Sequence, residues 1–164
     1  MMSLTTHPYH YFTDEASFRR AWSETLHKLN GERLLHVYGV WDRLEQRWFA
    51  DAPMLIELSA GVLSVKVSCE GKLALGWNDI MPTEKPIWFD ETQRCGELAG
   101  LDWQEDLIWC EYDAVRGALG QSMRGTDVQV NRGGLSGIVF RLDGGDLLYI
   151  TDAGDEIEGR LEYR

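Results

Sequence analysis

The sequence predicts an α+β fold: a strongly bent antiparallel sheet or partial barrel of short strands, with one long N-terminal helix packed on it. Three observations predict it. Residues 14–30 carry apolar side chains at helical spacing. About nine short apolar runs follow, bounded by Gly, Pro, Asn and Asp. Strand and helix patterns do not alternate along the chain, so a parallel α/β sheet is not expected.

In chain order, residues 1–12 read as an arm. His7 and His10 have a metal-like spacing, but no third ligand lies near, so an aromatic-rich arm or edge strand is the reading. Thr13 or Asp14 can cap the helix, and acids sit in its first turn. Phe18, Trp22, Leu26 and Leu29 fall on one stripe, and Gly31 is placed to end it. Residues 33–41 form a strand, which Asp42–Gln46 turns toward Arg47-Trp48-Phe49. Residues 54–67 read as a hairpin with Ala60-Gly61 as its loop. That register sets Met54 against Val67, Ile56 against Val65 and Leu58 against Leu63. Leu55, Glu57, Ser64 and Lys66 then lie on a solvated face. Leu73–Trp77 continues the meander after a turn at Glu70-Gly71.

A long connection starts at Asn78–Pro82, with Ile87-Trp88-Phe89 as a short strand and residues 90–106 as a polar loop. Residues 107–112 are a strand, and 114–124 a short helix or irregular crossover. Thr126–Asn131 is a strand ending in a turn at Arg132–Gly134. The clearest hairpin is Gly137–Asp152, where two apolar runs flank Asp143-Gly144-Gly145-Asp146. A two-glycine turn there sets Leu142 against Leu147, Phe140 against Tyr149 and Ile138 against Thr151, with Val139 and Ile150 on the other face. Residues 158–163 close the sheet as an edge strand.

A chain of 164 residues is one domain, long enough for a real core. Its 44% hydrophobic content and seven Trp exclude a disordered chain. No apolar run approaches the about 20 residues that span a bilayer, and no secretory signal is read at the N-terminus. Cys69, Cys95 and Cys110 are odd in number and widely spaced, which favours a reducing cytoplasm over a disulfide framework.

The formal charge of −11 is concentrated. Residues 97–113 carry six acids and no Lys or Arg, and residues 143–164 carry seven acids and two arginines. The remainder balances, with 14 acids and 14 bases. Such patches speed encounter with a basic partner and disfavour direct nucleic-acid binding, which needs clustered Lys and Arg.

Catalytic grammar is missing. There is no Gly-x-Ser-x-Gly elbow, no phosphate-binding glycine loop ending in Lys, no His-Glu-x-x-His and no Cys-x-x-Cys. Neighbouring acids such as Asp102 with Glu105, or Asp155 with Glu156, read as solvated. General acid–base work needs two carboxyls in contrasting environments. Asp152, Asp155, Glu156 and Glu158 lack the alternation of a calcium loop. No metal and no cofactor are therefore expected. Trp22, Trp41, Trp77 and Trp109 read as core, and Trp103, flanked by acids, as the exposed aromatic anchor.

The order Leu119-Gly120, Val128-Gln129-Val130, Gly137–Ile150 and Asp152–Glu156 resembles that of small bacterial immunity proteins of polymorphic toxin systems. The middle hairpin followed by Leu75-Gly76-Trp77-Asn78-Asp79 is similar in flavour. The resemblance covers about the last 45 residues, is a style more than a signature, and transfers only the idea of an acidic, aromatic binding face. It implies a cytoplasmic protein that occludes or distorts a cognate protein toxin, with a basic toxin domain as partner. The expected contacts are Asp102, Trp103, Glu105 and Asp106 on one loop, and Asp152, Asp155, Glu156 and Glu158 on the other. Two other readings stand beside it: a small enzyme or carbohydrate-binding domain with a carboxylate–Trp cleft, and an adaptor or chaperone for a secreted effector, which would need a large exposed apolar groove.

Overall fold

The structure, a computed structural model, describes residues 10–49, 52–68, 70–84, 86, 106–132, 134–153 and 157–164. It is α+β, with one N-terminal helix and two antiparallel sheets that do not close into a barrel. Helix α1 spans Glu15–Lys28. Asp14 caps it by accepting the Ser17 N–H at 2.8 Å. Glu15–Arg19 and Glu24–Lys28 pair one turn apart on its exposed side. Its stripe buries Phe18 and Leu26, continues through Leu29, and packs along strand β7 (Met123–Asn131). Gly31, at φ 89°, carries the chain out of the helix.

The first sheet holds β1 (Leu34–Asp42), β2 (Arg47–Trp48), β3 (Met54–Leu58), β4 (Gly61–Ser68), β5 (Lys72–Trp77) and β6 (Leu107–Glu111). Tyr38 of β1 pairs with Leu55 of β3 on one side and with Glu111 of β6 on the other. Trp41 likewise pairs with Trp48 and Ile108. Strands β2 and β3 therefore share one edge of β1, and β6 holds the other. The second sheet runs β10-β9-β8-β7, with β8 Gly134–Leu142, β9 Leu147–Asp152 and β10 Ile157–Glu162. Asp113–Ala118, a short 3-10 segment bent at Val115, leads from β6 toward β7. The sheets are stitched at one corner, where the Gly31 and Leu34 N–H groups donate to the Met123 and Gln121 carbonyls, and the Leu34 and Glu32 carbonyls accept from the Gly120 and Met123 N–H groups.

The core lies between the sheets. Met54, Ile56, Leu63, Val65 and Leu73 meet Ile138, Phe140, Leu148 and Ile150, all at most 1% exposed. Each such side chain contributes roughly 1.5–3 kcal/mol through its removal from water.

Both hairpin registers differ from the sequence expectation. In β3–β4, Met54 pairs with Val65 and Ile56 with Leu63, a shift of two residues that keeps every side chain on its face. The turn is Ser59-Ala60 because Gly61 has another task. A Cβ on Gly61 would sit 2.3 Å from Asn78 Oδ1, the atom that accepts the Val62 N–H. In β8–β9 the shift is one residue. Phe140 pairs with Leu148 and Ile138 with Ile150, while Val139 pairs with Tyr149 on the opposite face. A two-glycine turn would need positive φ at both glycines, but only Gly145 takes it, at 90°. Core burial wins over turn chemistry, since this register sends four fully buried apolar side chains inward together.

The solvated face expected for β3–β4 is also corrected. Leu55 is fully buried, and Ser64 and Lys66 are 1% exposed. Beside β1 the same face bears a second apolar cluster of Val40, Ala52 and Leu107 with Phe49 and Trp109. Strand β7 starts at Met123, earlier than the expected Thr126, through an irregularity between Met123 and Gly125. The short strand expected at Ile87–Phe89 lies outside the described residues. Among the described residues no helix is long and apolar enough to cross a membrane.

Candidate functional site

Alternation along β1 sends Val37, Gly39 and Trp41 to the core side and His36, Tyr38 and Val40 to the other. Each side carries its own arrangement near the end of the sheet.

On the core side, beyond the packed apolar layer, Trp41, Trp48 and Tyr112 form a half-buried aromatic cluster. The Trp41 and Trp48 rings meet edge to face, with centroids 5.1 Å apart at 84°. Trp48 and Tyr112 are tilted at 4.8 Å. Such pairs contribute about 0.5–1.5 kcal/mol each beyond their buried area. Two glycines make room. A Cβ on Gly39 would lie 3.1 Å from Trp48 and 3.3 Å from Tyr112, and one on Gly159 would lie 3.1 Å from Tyr112 and from Met54. Both rings therefore approach bare strand backbone at these glycines. The crevice between Trp48, Phe49, Tyr112 and Ile157 holds only about 10 Å³, about one water at most. The cluster is a filled platform and not a cleft.

Three of the eight expected contact residues fall in described segments, and their elements converge on this cluster. The Asp106 carbonyl accepts the Arg43 N–H at 2.8 Å, immediately before β6 pairs Ile108 with Trp41. Asp152 ends β9 opposite Ile157, which lines the crevice with Trp48 and Tyr112. Glu158 is exposed and precedes Gly159, so its side chain lies on the face of β10 opposite to the one that Gly159 presents to Tyr112. Asp102, Trp103, Glu105, Asp155 and Glu156 lie outside the described residues. Trp22, Trp41, Trp77 and Trp109, expected as core, are each half-buried. Trp22 and Trp77 pack on the main core and Trp109 on the second cluster. The Trp109 indole N–H is buried without a partner.

Sequence reasoning missed Trp48 and Tyr112. The signal for Trp48 was its place in the two-residue strand facing Trp41, where cross-strand aromatics are expected to pair. Tyr112 had no local signal, because Gly39 and Gly159, which receive its ring, are far apart in the chain.

On the other side of β1, His36 and Tyr38 meet Glu57 and Glu111. Tyr38 donates to Glu57 Oε2 at 3.3 Å. Burial first, and then the Glu57 and Glu111 carboxylates, push the Tyr38 phenol up to about 12. His36 Nδ1 stands 2.5 Å from Glu111 Oε1, at an angle outside hydrogen-bond geometry. The contact is an ion pair when His36 is protonated. A phenol pushed upward holds its proton at neutral pH and does not serve as a base, so the arrangement ties β1 to β3 and β6 through half-exposed polar groups. Among the described residues no group of three or more His, Cys, Asp or Glu converges in a metal-binding arrangement.

Compared with known proteins, the chain matches no family model, no curated protein and no solved structure.

Proposed function

We propose that this protein neutralises a cognate basic protein toxin in the cytoplasm by binding it through an acidic, aromatic surface. The observation that carries the reading is the Trp41–Trp48–Tyr112 platform, onto which the Asp106 segment and the hairpin bearing Asp152 and Glu158 both converge. Aromatic anchors rimmed by charges are the usual source of interface affinity and encounter rate. The net charge of −11 adds long-range attraction for a cationic domain. A carboxylate–Trp cleft for sugar or catalysis ranks second, because the crevice at Trp48 leaves about 10 Å³. A chaperone groove ranks third. Among the described residues the exposed large apolar side chains, Leu35, Leu44, Val130 and Tyr163, sit on separate segments of the chain.

The test is affinity capture from the source organism's lysate and secretions, followed by binding measurements on the captured species. The expected result is one stoichiometric basic protein released by rising salt. Trp48→Ala should weaken its binding by about 2 kcal/mol or more, about thirtyfold. The combined Asp106→Asn, Asp152→Asn and Glu158→Gln variant should mainly slow association. Unchanged affinity in Trp48→Ala together with salt-independent binding would refute this surface.

A further inference from the structure

Among the described residues of this acidic chain, a recess with a basic lining lies on the opposite edge of the second sheet from β10. A cleft of about 210 Å³ opens between α1 and β7, and its charged lining is Arg19, Arg124, Arg141 and Asp127. His27, Asn30, Ser23 and Thr126 add hydrogen-bonding groups. We propose that this cleft binds the phosphate group of a small molecule, using the Arg124 and Arg141 guanidinium groups.

Two features of the backbone aim the arginines. First, the β7–β8 register shifts between Met123 and Gly125, leaving Arg124 as the unpaired residue. Bulges of this kind redirect a side chain, and here it lines the cleft. Arg124 is exposed and has no ion-pair partner among the described residues. Second, the Arg141 guanidinium lies on Gly125. A Cβ there would be 2.4 Å from Nη2 and 2.9 Å from Cζ, so only glycine leaves the space. Arg141 contacts Asp127 through Nε, at 3.3 Å, which orients its fork without consuming it. Arg19 is held from the helix side by Glu15 at 2.8 Å. Guanidinium forks match the spread oxygens of phosphate better than a single point charge does. With Glu15 on Arg19 and Asp127 on Arg141, Arg124 is the arginine of the cleft that no acid engages among the described residues, and it leaves the recess net positive for an anion. The inference stands apart from the toxin-binding reading, because its residues and edge of the sheet are different.

The test is a ¹⁵N–¹H NMR titration of the full chain with inorganic phosphate, phenyl phosphate and acetate at constant ionic strength. Saturable shifts confined to residues 18–30, 124–128 and the neighbourhood of Arg141 are expected with both phosphates and not with acetate. Tighter binding of phenyl phosphate identifies an organic phosphomonoester as the ligand class, and equal binding identifies free phosphate. Arg124→Gln and Arg141→Gln should each weaken binding about tenfold or more, and Gly125→Ala should do so by displacing the Arg141 fork. Lys28→Gln, outside the cleft, should leave it unchanged. Linear shifts spread over the surface, equal binding of acetate, or unchanged binding in both arginine variants would overturn the proposal.

Discussion

Replacing Gly137 by alanine tests the hairpin register directly. Gly137 sits in β8, between β7 and β9, and pairs with Thr151. An added Cβ would stand 2.5 Å from the Ile150 carbonyl oxygen and 2.9 Å from the Thr151 Cα. Both are backbone atoms of a central ladder, so no side-chain rotation relieves the contact. Ordinary contact would need the strands to part by close to 1 Å, and overpacking of this kind costs about 1–3 kcal/mol. In a domain of this size each kcal/mol lowers the melting temperature by about 2–4 °C, so Gly137→Ala should melt about 2–12 °C below the parent in calorimetry. Gly144→Ala is the internal control. Its Cβ would meet the end of the Gln121 side chain, which can move, and Gly144 does not use positive φ. A loss under about 0.5 kcal/mol, the range of an ordinary surface change, would refute the close approach of Gly137 to β9 and with it the observed register.

Three further outcomes follow from named contacts. Tyr38 should ionise near pH 12 by ultraviolet titration, and Glu57→Gln should lower that midpoint, since both the Glu57 charge and its hydrogen bond favour the protonated phenol. The unfolded phenol titrates near the ordinary value of about 10, so the protonated form's contribution to stability is complete below that pH. It is lost as pH rises to about 12. Asp14 has the opposite sign. The Ser17 backbone N–H, followed by the Ser17 side chain, holds its carboxyl below the ordinary aspartate value, so the cap stabilises above that value and fails as acid protonates it. Asp14→Asn should flatten the acid limb of helix unfolding followed by circular dichroism. Gly39→Ala should shift tryptophan fluorescence with modest loss of stability, because its Cβ would press on Trp48 and Tyr112 at 3.1–3.3 Å and those rings can yield by tenths of an ångström; an unchanged spectrum would remove Gly39 as the floor of the aromatic cluster.

Much of the fold was legible because local rules carried it. The stripe Phe18, Trp22, Leu26, Leu29 and the Asp14 cap specify α1 with no reference to the rest of the chain. The alternation of apolar residues separated strand from helix, and it told which residues share a face in β3–β4 but not across β8–β9, where Phe140 shares its face with Leu148 and not with Tyr149. Both β3 and β4 kept their predicted core faces although their pairing moved by two. Gly61 and Gly144 misled for the same reason. A glycine can mark a turn or a place where something packs against bare backbone, and the sequence does not distinguish the two. At Gly61 it is Asn78 that approaches, and at Gly144 it is Gln121.

By itself, then, the sequence determined the α+β class, the helix, the run of antiparallel strands and the concentration of acids in two segments. These are properties of periodicity and composition over a few residues. Only the tertiary structure decided that the strands divide into two sheets, that β8 and β9 pair Ile138 with Ile150, and that Trp48 meets Tyr112 over Gly39 and Gly159. The aromatic platform and the Arg124–Arg141 cleft belong to this second kind. Each joins residues distant in sequence, through a register or bulge set by how the two sheets bury their shared core.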